Sequence, residues 1–246
     1  MKSLKFLLFV SCLFFLNVGM AQSSSTNSRF RHSISGKTGI DLGLPSGTLW
    51  ATRNVGAAND KEFGEYYSWG STTEKIIRPK ENEGNIGLNT DISGNGRYDA
   101  AKYNWGGPWR IPTKEEMEEL VKYCKWELEK VDRSGFHHSG YSYYFKVTGP
   151  NGMSIMLPLA GIVGDPVDGK NQFPMSGLQN LGQYWTSTPS PEATAYNMIN
   201  EKLKDNCTYR LSLFYDEKEN EPSYKIIGGA NRSDGLSIRP VASPNR

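Results

Sequence analysis

The stretch that decides the fold is WGGPWRIPTKEEMEEL, residues 105–120. Its two tryptophans bracket a Gly-Gly-Pro turn, and a helix start follows at once. Thr113 and Glu116 form the Thr-x-x-Glu capping box, in which each side chain bonds the backbone N–H of the other residue, and Pro112 marks the helix entry. The pattern therefore predicts a chain that turns sharply at a bulky corner and then enters a helix.

This helix is predicted over about residues 113–129. Apolar side chains recur there at the i, i+3, i+4, i+7 and i+11 spacing of one helical stripe, namely Met117, Leu120, Val121, Cys124 and Leu128. A shorter helix is predicted over about residues 99–104, with Asp99 as its cap. Because two helices would meet at the corner and pack against β structure, we expect Trp105, Trp109 and Ile111 to be largely buried.

The rest of the chain carries short β signals separated by Gly, Pro and Asn. The candidate strands are 39–43, 48–52, 65–69, 143–147, 153–158, 184–188, 209–215, 223–227 and 236–241. Segment 71–97 has little apolar periodicity and is predicted to be a long loop. Short antiparallel strands with two helices and long loops indicate the α+β class.

The N-terminus has the pattern of an export signal. Lys2 and Lys5 precede an apolar run over residues 6–15, and small residues ending at Ala21 form a cleavage site. Cys12 follows Phe-Val-Ser, which loosely resembles a lipidation box, but the apolar run continues past it. Cleavage after Ala21 is therefore favoured over lipid anchoring, and we expect the protein in the periplasm, at the cell surface or secreted.

The sequence predicts that the chain is divided into three segments. Residues 1–21 are predicted to be a signal peptide, 22–36 a flexible Ser-rich linker, and 37–246 a single domain. No further apolar run approaches the length of a membrane span, so we expect no transmembrane span in the mature chain.

The charge of the mature chain bears on its partners. Residues 1–21 contain two lysines and no acidic residue, so their removal lowers the 28 basic residues to 26, equal to the 26 acidic residues. A protein that binds nucleic acid through bulk charge is usually strongly basic, because neutralisation of phosphates dominates its affinity. Nucleic acid is therefore not an expected partner.

Six motifs occur in order along the chain: LGLPSGTLWATRNVGA, FGEYYSWG, YDAAKYNWGGPWRIPTKEEMEELVKYCKW, VTGPNGMSIMLPLAG, YWTST and SIRPV. Together they resemble the Fibrobacter succinogenes major paralogous domain family, which is related to the C-terminal domain of Legionella collagen-like protein. The resemblance runs from residue 39 to the end of the chain. It implies a C-type-lectin-like fold, similar to that of formylglycine-generating enzymes. Function still has to be argued from a site, since one fold carries many chemistries.

The segment DISGNGRYD, residues 91–99, is a candidate calcium loop. The oxygen-bearing residues at positions 1, 3, 5 and 9 of the calcium-loop pattern are Asp91, Ser93, Asn95 and Asp99. Position 12 is Lys102, where a bidentate Glu would be wanted, so we expect weak calcium binding at most. The alternative is a Gly-rich turn that ends in the Asp99 cap, and no other cofactor is expected.

No catalytic motif accompanies this loop. The region that would carry the reactive cysteines of a formylglycine-generating enzyme reads GLSIRPVAS, with Arg239 and no cysteine. The sequence also contains no Gly-x-Ser-x-Gly, no His-Glu-x-x-His and no phosphate loop. We therefore expect no enzyme activity, and we interpret Arg239 as a structural residue that pairs with a carboxylate.

Two cysteines, Cys124 and Cys207, would survive signal cleavage, and an exported compartment permits them to pair. The family that this chain resembles often has a cysteine where Arg53 stands, so that partner for Cys124 is missing here. The resemblance leaves two alternatives open: Cys207 replaces it in a Cys124–Cys207 disulfide, or both thiols stay unbonded.

These features favour a binding module that recognises a glycan or protein at the cell exterior. The alternatives are a structural component of the cell surface and an enzyme on the same fold. A polyanion site would need a local basic cluster, for which the dense candidates are Lys122, Lys125, Lys130, Arg133, His137 and His138. Acidic residues interleave them, so contact through the loops 71–97 and 161–180 is expected instead.

Overall fold

The computed structural model describes residues 28–75, 89–132, 141–164, 175–178, 180–191 and 207–243. The predicted signal peptide, with Cys12, lies outside these residues, as do Arg133, His137 and His138. Within the described ranges, no helix is both long enough and apolar enough to cross a membrane.

Antiparallel strands and two helices make up the described chain. The strands are β1 (Arg31–Ile34), β2 (Lys37–Asp41), β3 (Leu49–Ala51), β4 (Trp109–Arg110), β5 (Lys125–Asp132), β6 (Tyr141–Thr148), β7 (Ser154–Pro158), β8 (Ile162–Val163), β9 (Met175–Ser176), β10 (Leu181–Pro189), β11 (Cys207–Phe214), β12 (Ser223–Asn231) and β13 (Val241–Ala242). The helices are α1 (Ala100–Trp105) and α2 (Lys114–Tyr123). The α+β class predicted from the sequence is confirmed.

The strands form separate small sheets. In the described residues these have the orders β1-β2-β3-β13-β4, β10-β11-β12, β5-β6-β7 and β8-β9, and the paired strands are antiparallel. The largest core cluster lies among them and includes Trp50 of β3, Leu120 of α2, Phe145 of β6 and Leu211 of β11. Side chains from all the larger sheets therefore share one core.

Helix α2 is shorter than the sequence pattern predicted. It ends at Tyr123, and Cys124 is its C-cap in an extended conformation with φ −95° and ψ 152°. The segment after it forms β5, in which Trp126 and Leu128 pack against the main core while Lys125 forms an ion pair with Glu127. This two-residue alternation, together with pairing to β6 along the whole strand, determines the conformation. The prediction of a helix to residue 129 was therefore wrong from residue 124 onward.

The domain begins before Lys37. Strand β1 lies inside the segment predicted to be a linker and pairs with β2 in a hairpin. The two turn residues, Ser35 and Gly36, have φ values of 48° and 72°, as a two-residue hairpin turn of type I′ requires. Phe30, just before β1, packs against the main core. The predicted boundary at residue 37 thus separated two strands of one sheet.

The corner at residues 105–111 is largely structural. Trp109 and Ile111 are fully buried, and the indole Nε1 of Trp109 donates to the carbonyl of Ile34 at 3.1 Å. Trp105 packs edge-on against Trp109, with ring centroids 5.3 Å apart. Trp105 is only half-buried, however, so the prediction of burial holds for Trp109 and Ile111 and was wrong for Trp105. The capping box of Thr113 and Glu116 is present as predicted.

The C-terminal segment 235–242 connects elements that are distant in sequence. Backbone N–H groups of Ala51, Val55 and Trp185 donate to carbonyls of Pro240, Ile238 and Ser237 at 2.9–3.1 Å. Leu236 and Tyr67 exchange two further backbone hydrogen bonds. Segment 235–242 therefore stabilises the fold in two ways. Its residues before β13 bond to several sheets, and β13 itself pairs with β3 and β4.

Arg239, in this segment, is completely buried without a carboxylate partner. Its Nε donates to Oδ1 of Asn54 at 2.9 Å, Nη1 to the carbonyl of Ala51 at 3.0 Å and Nη2 to the carbonyl of Met156 at 2.6 Å. Burial lowers the pKa of Arg239 to about 10, so the side chain stays charged at neutral pH. The prediction of a carboxylate partner was wrong, because an amide oxygen and two carbonyls fill its donor positions.

We expect Trp109→Ala to lower the free energy of unfolding by about 3–5 kcal/mol, since it removes a fully buried indole and its hydrogen bond to Ile34. Denaturant unfolding at equilibrium measures this change. Tyr103→Ala is the matched control, because Tyr103 is 65 % exposed and its loss should cost little. Equal midpoints for Trp109→Ala and the unmodified protein would show that the corner is not structural.

Candidate functional site

One concave feature of the described residues is an open depression of about 300 Å³, which we call the basic depression. It is lined by Arg31, Gly36, Lys37, Thr38, Thr52, Arg53, Ala58, Asn59 and Asp60. Three of these residues are cationic and one is anionic, so the surface carries an excess of positive charge. The nearly neutral balance of the whole chain gives no hint of this local excess.

Two neighbouring parts of the five-stranded sheet bring the cations together. The β1–β2 hairpin carries Arg31 and Lys37, and Arg53 follows the end of β3. A backbone hydrogen bond of 3.2 Å from the N–H of Thr52 to the carbonyl of Thr38 joins the two parts beside the depression. The residues are far apart in the sequence, and the hairpin turn is what places Arg31 next to the other two.

The loop after Arg53 forms the opposite wall. The carboxylate of Glu62 accepts hydrogen bonds of 2.7 Å from the N–H of Ala58 and from the amide of Asn59. One Nη of Arg53 donates to the carbonyl of Ala58. The hydroxyl of Tyr144 donates to the carbonyl of Lys61 at 2.9 Å and fixes the loop to β6. The wall is therefore fixed by specific hydrogen bonds on both sides.

Two of the cations lie beside the half-buried ring of Trp105. Lys37 Nζ is 5.4 Å, and Arg53 Cζ 6.0 Å, from the centroid of this indole. A cation over an indole face is attracted by the ring quadrupole, with about 0.5–1 kcal/mol at exposed sites. Across the described chain, no ion pair joins Arg31, Lys37 or Arg53 to a carboxylate. Two positive charges thus lie close to one ring, and a bound anion would reduce the repulsion between them.

The side chains of the candidate calcium loop form hydrogen bonds within the loop and to residues outside it. Asp91 accepts from the N–H of Ser93 at 2.8 Å and from the hydroxyl of Thr188 at 2.7 Å. Asn95 Oδ1 accepts from the N–H of Arg97 at 3.0 Å, and Ser93 Oγ donates to the carbonyl of Ile111 at 2.7 Å. The side-chain oxygens of Asp91, Ser93 and Asn95 therefore lie in one loop, but each already forms a hydrogen bond with another group of the protein.

Asp99 is buried at the centre of this arrangement. Its carboxylate accepts from the N–H groups of Gly94, Lys102 and Ile111 at 2.7–2.9 Å. Burial raises the pKa of Asp99, and these N–H groups act in the opposite direction. Within the described ranges, no group of three or more His, Cys, Asp or Glu could hold a metal ion. Asp99 acts as the predicted helix cap and connects α1 to the corner.

The two candidate disulfide cysteines are not bonded to each other in the structure. Cys124 is the half-buried C-cap of α2, and burial raises the pKa of its thiol to about 11. Cys207 is fully buried at the start of β11, where its carbonyl accepts hydrogen bonds from the guanidinium of Arg232. Cys124 packs against the main core, where a thiol acts as a small hydrophobic group.

The basic cluster considered from the sequence is partly neutralised. Lys125 pairs with Glu127 at 2.8 Å and Lys130 with Glu217 at 3.7 Å. Much of the loops 71–97 and 161–180 lies outside the described residues. Sequence reasoning missed the basic depression because its cations come from segments on both sides of a hairpin. The Ser-Gly pair at residues 35–36 was the available signal, since this dipeptide marks a turn.

No protein-family model matches the chain, and comparisons with curated proteins and with solved structures also gave no match. The family resemblance therefore depends on the six sequence motifs alone. The site has to be interpreted from its own chemistry.

We expect calcium to stabilise the protein only slightly, because the oxygens of Asp91 and Asp99 already accept hydrogen bonds from the protein. A site with a Kd of about 1 mM would add only about 0.4 kcal/mol at about 1 mM calcium. Thermal unfolding with calcium, with magnesium as the control, measures the effect. A rise of several degrees that is specific to calcium would show that the loop rearranges into a true calcium site.

Proposed function

We propose that the protein is an exported, non-catalytic binding module with a C-type-lectin-like fold, which recognises an anionic group of an extracellular or cell-surface glycan or protein. The observation that carries this proposal is the grouping of Arg31, Lys37 and Arg53 around one concave surface beside Trp105. The export signal and the family resemblance support the cellular location and the type of fold.

The electrostatics of the basic depression favour an anionic ligand over a neutral one. Three cations against the single Asp60 leave a local positive potential, and a concave surface raises the local concentration of counter-ions. Arginine adds directional N–H donors that match the oxygens of a carboxylate, sulfate or phosphate. The ligand supplies negative charge beyond that of Asp60, which balances only one of the three cations.

Rigidity is the second requirement for recognition, and both walls meet it. The hairpin wall consists of β1 paired to β2, and β2 is in turn paired to β3. The loop wall is closed by Glu62 and fixed by Tyr144. A site whose backbone is already positioned loses less conformational entropy when a ligand binds. This arrangement favours recognition of one group at a fixed place over diffuse attraction across the surface.

The test is binding of heparin and of neutral dextran to the purified protein over a salt series. The variant Arg31→Ala/Lys37→Ala should bind heparin about tenfold more weakly, because two surface charge contacts together contribute about 1.4 kcal/mol. Dextran should not compete with heparin. We expect heparin binding to weaken as salt rises, since the site is open to screening.

The control variant Lys122→Ala/Lys125→Ala removes the same two charges from a different part of the surface. It should leave heparin affinity within about twofold, a change of about 0.4 kcal/mol. Equal losses in the two double variants would mean that net charge, and not the basic depression, carries the binding. No heparin binding by the unmodified protein at low salt would contradict the proposed function.

A further inference from the structure

Asp60 lies in the same depression as the three cations, although its charge works against an anion. We infer that the ligand group is an acidic sugar residue, whose negative charge meets Arg31, Lys37 and Arg53 while one of its hydroxyls donates to Asp60. This inference rests on the proposed function and narrows its ligand from an anion to a hydroxylated anion.

The Asp60 carboxylate does not stabilise its own loop through any contact with the described residues. Within the part of the chain that the structure describes, it takes part in no hydrogen bond and no ion pair, and it is exposed. Glu62, two residues later, closes the loop by accepting from Ala58 and Asn59. The loop therefore carries one carboxylate that stabilises it, that of Glu62, and a second residue with a carboxylate, Asp60, that lines the depression.

An unpaired carboxylate among three unpaired cations matches a particular kind of ligand. Two unit charges about 4 Å apart interact by about 1 kcal/mol in water, so Asp60 weakens the binding of a bare anion. It is favourable when the ligand also offers a hydrogen-bond donor, because a donor to a charged acceptor forms one of the stronger hydrogen bonds. The complementary ligand thus carries an anionic group and donors side by side.

A hydroxyl suits this place better than an ammonium group. An ammonium next to Asp60 would be repelled by Arg31, Lys37 and Arg53, whereas a hydroxyl has no net charge to be repelled. An exposed ion pair with Asp60 would return only about 0–1 kcal/mol. The hydroxyls of Thr38 and Thr52 line the same surface and can pair with further hydroxyls. These features favour an acidic carbohydrate over a peptide that bears both charges.

Asp60 also acts electrostatically on the buried Arg239, since its negative charge raises the pKa of that guanidinium. A change in binding after mutation could then reflect a change in stability. The variants at position 60 are therefore first compared by thermal unfolding. Ligand affinities are compared at a temperature where each variant is folded.

The experiment measures binding of oligogalacturonate and of poly-L-glutamate, matched in length and charge, by titration calorimetry. The first probe carries carboxylates with hydroxyls, and the second carries carboxylates without them. Asp60→Asn keeps the shape and one acceptor oxygen without the charge, whereas Asp60→Leu removes the acceptor as well. The purified protein should prefer oligogalacturonate by about fivefold, the contribution of one hydrogen bond.

Both variants should bind poly-L-glutamate more tightly, by the same factor, because both lose the same repulsive charge. The preference for oligogalacturonate should fall in Asp60→Asn and disappear in Asp60→Leu. Equal strengthening of both probes in both variants, or a preference of the unmodified protein for poly-L-glutamate, would overturn the inference and leave the proposed function standing. Failure of the unmodified protein to bind either probe would overturn the inference, and the heparin measurement would then decide whether the proposed function stands.

Discussion

The guanidinium of Arg239 is the interaction on which the rest of the structure depends. A buried cation is costly unless its donors are satisfied, and here the acceptors come from two distant parts of the chain, Ala51 with Asn54 and Met156. Two of the three are carbonyl groups of strands, so their positions are fixed by sheet pairing. The charge therefore requires β3, the loop after it and β7 to stand in one relative arrangement.

The same contact connects the core to the candidate site. Thr52 and Arg53 lie between Ala51 and Asn54, the two residues that accept from Arg239 on one side. Asn54 also donates to the carbonyl of Phe63, which fixes the far end of the loop that carries Asp60. The buried guanidinium of Arg239 therefore positions the backbone that carries part of the basic depression, through Ala51 and Asn54. The charged side chains of the depression itself remain accessible to a ligand.

The sequence was most informative where a local pattern decides the structure. The capping box, the Asp99 cap and the burial of Trp109 were predicted because each follows from residues close together in the chain. The end of α2 was not, since β5 depends on pairing with β6, a partner that a helical stripe does not reveal. The basic depression and the partners of Arg239 were missed for the same reason, because contacts between distant segments determine both.

The central claim is that Arg239 holds the loop at the basic depression, and amide hydrogen exchange in Arg239→Lys tests it most directly. Lysine keeps the charge but loses the planar fork, so it cannot satisfy all three acceptors. The amide of Glu65 donates to the carbonyl of Val55 across this loop, and the amide of Val55 donates to the carbonyl of Ile238. Both amides should lose about 1–3 kcal/mol of protection relative to the amide of Leu211 in β11. Arg232→Lys is the control, because this other buried arginine bonds near β11 and should leave Val55 and Glu65 protected. Unchanged protection of Val55 and Glu65 in Arg239→Lys would contradict the account.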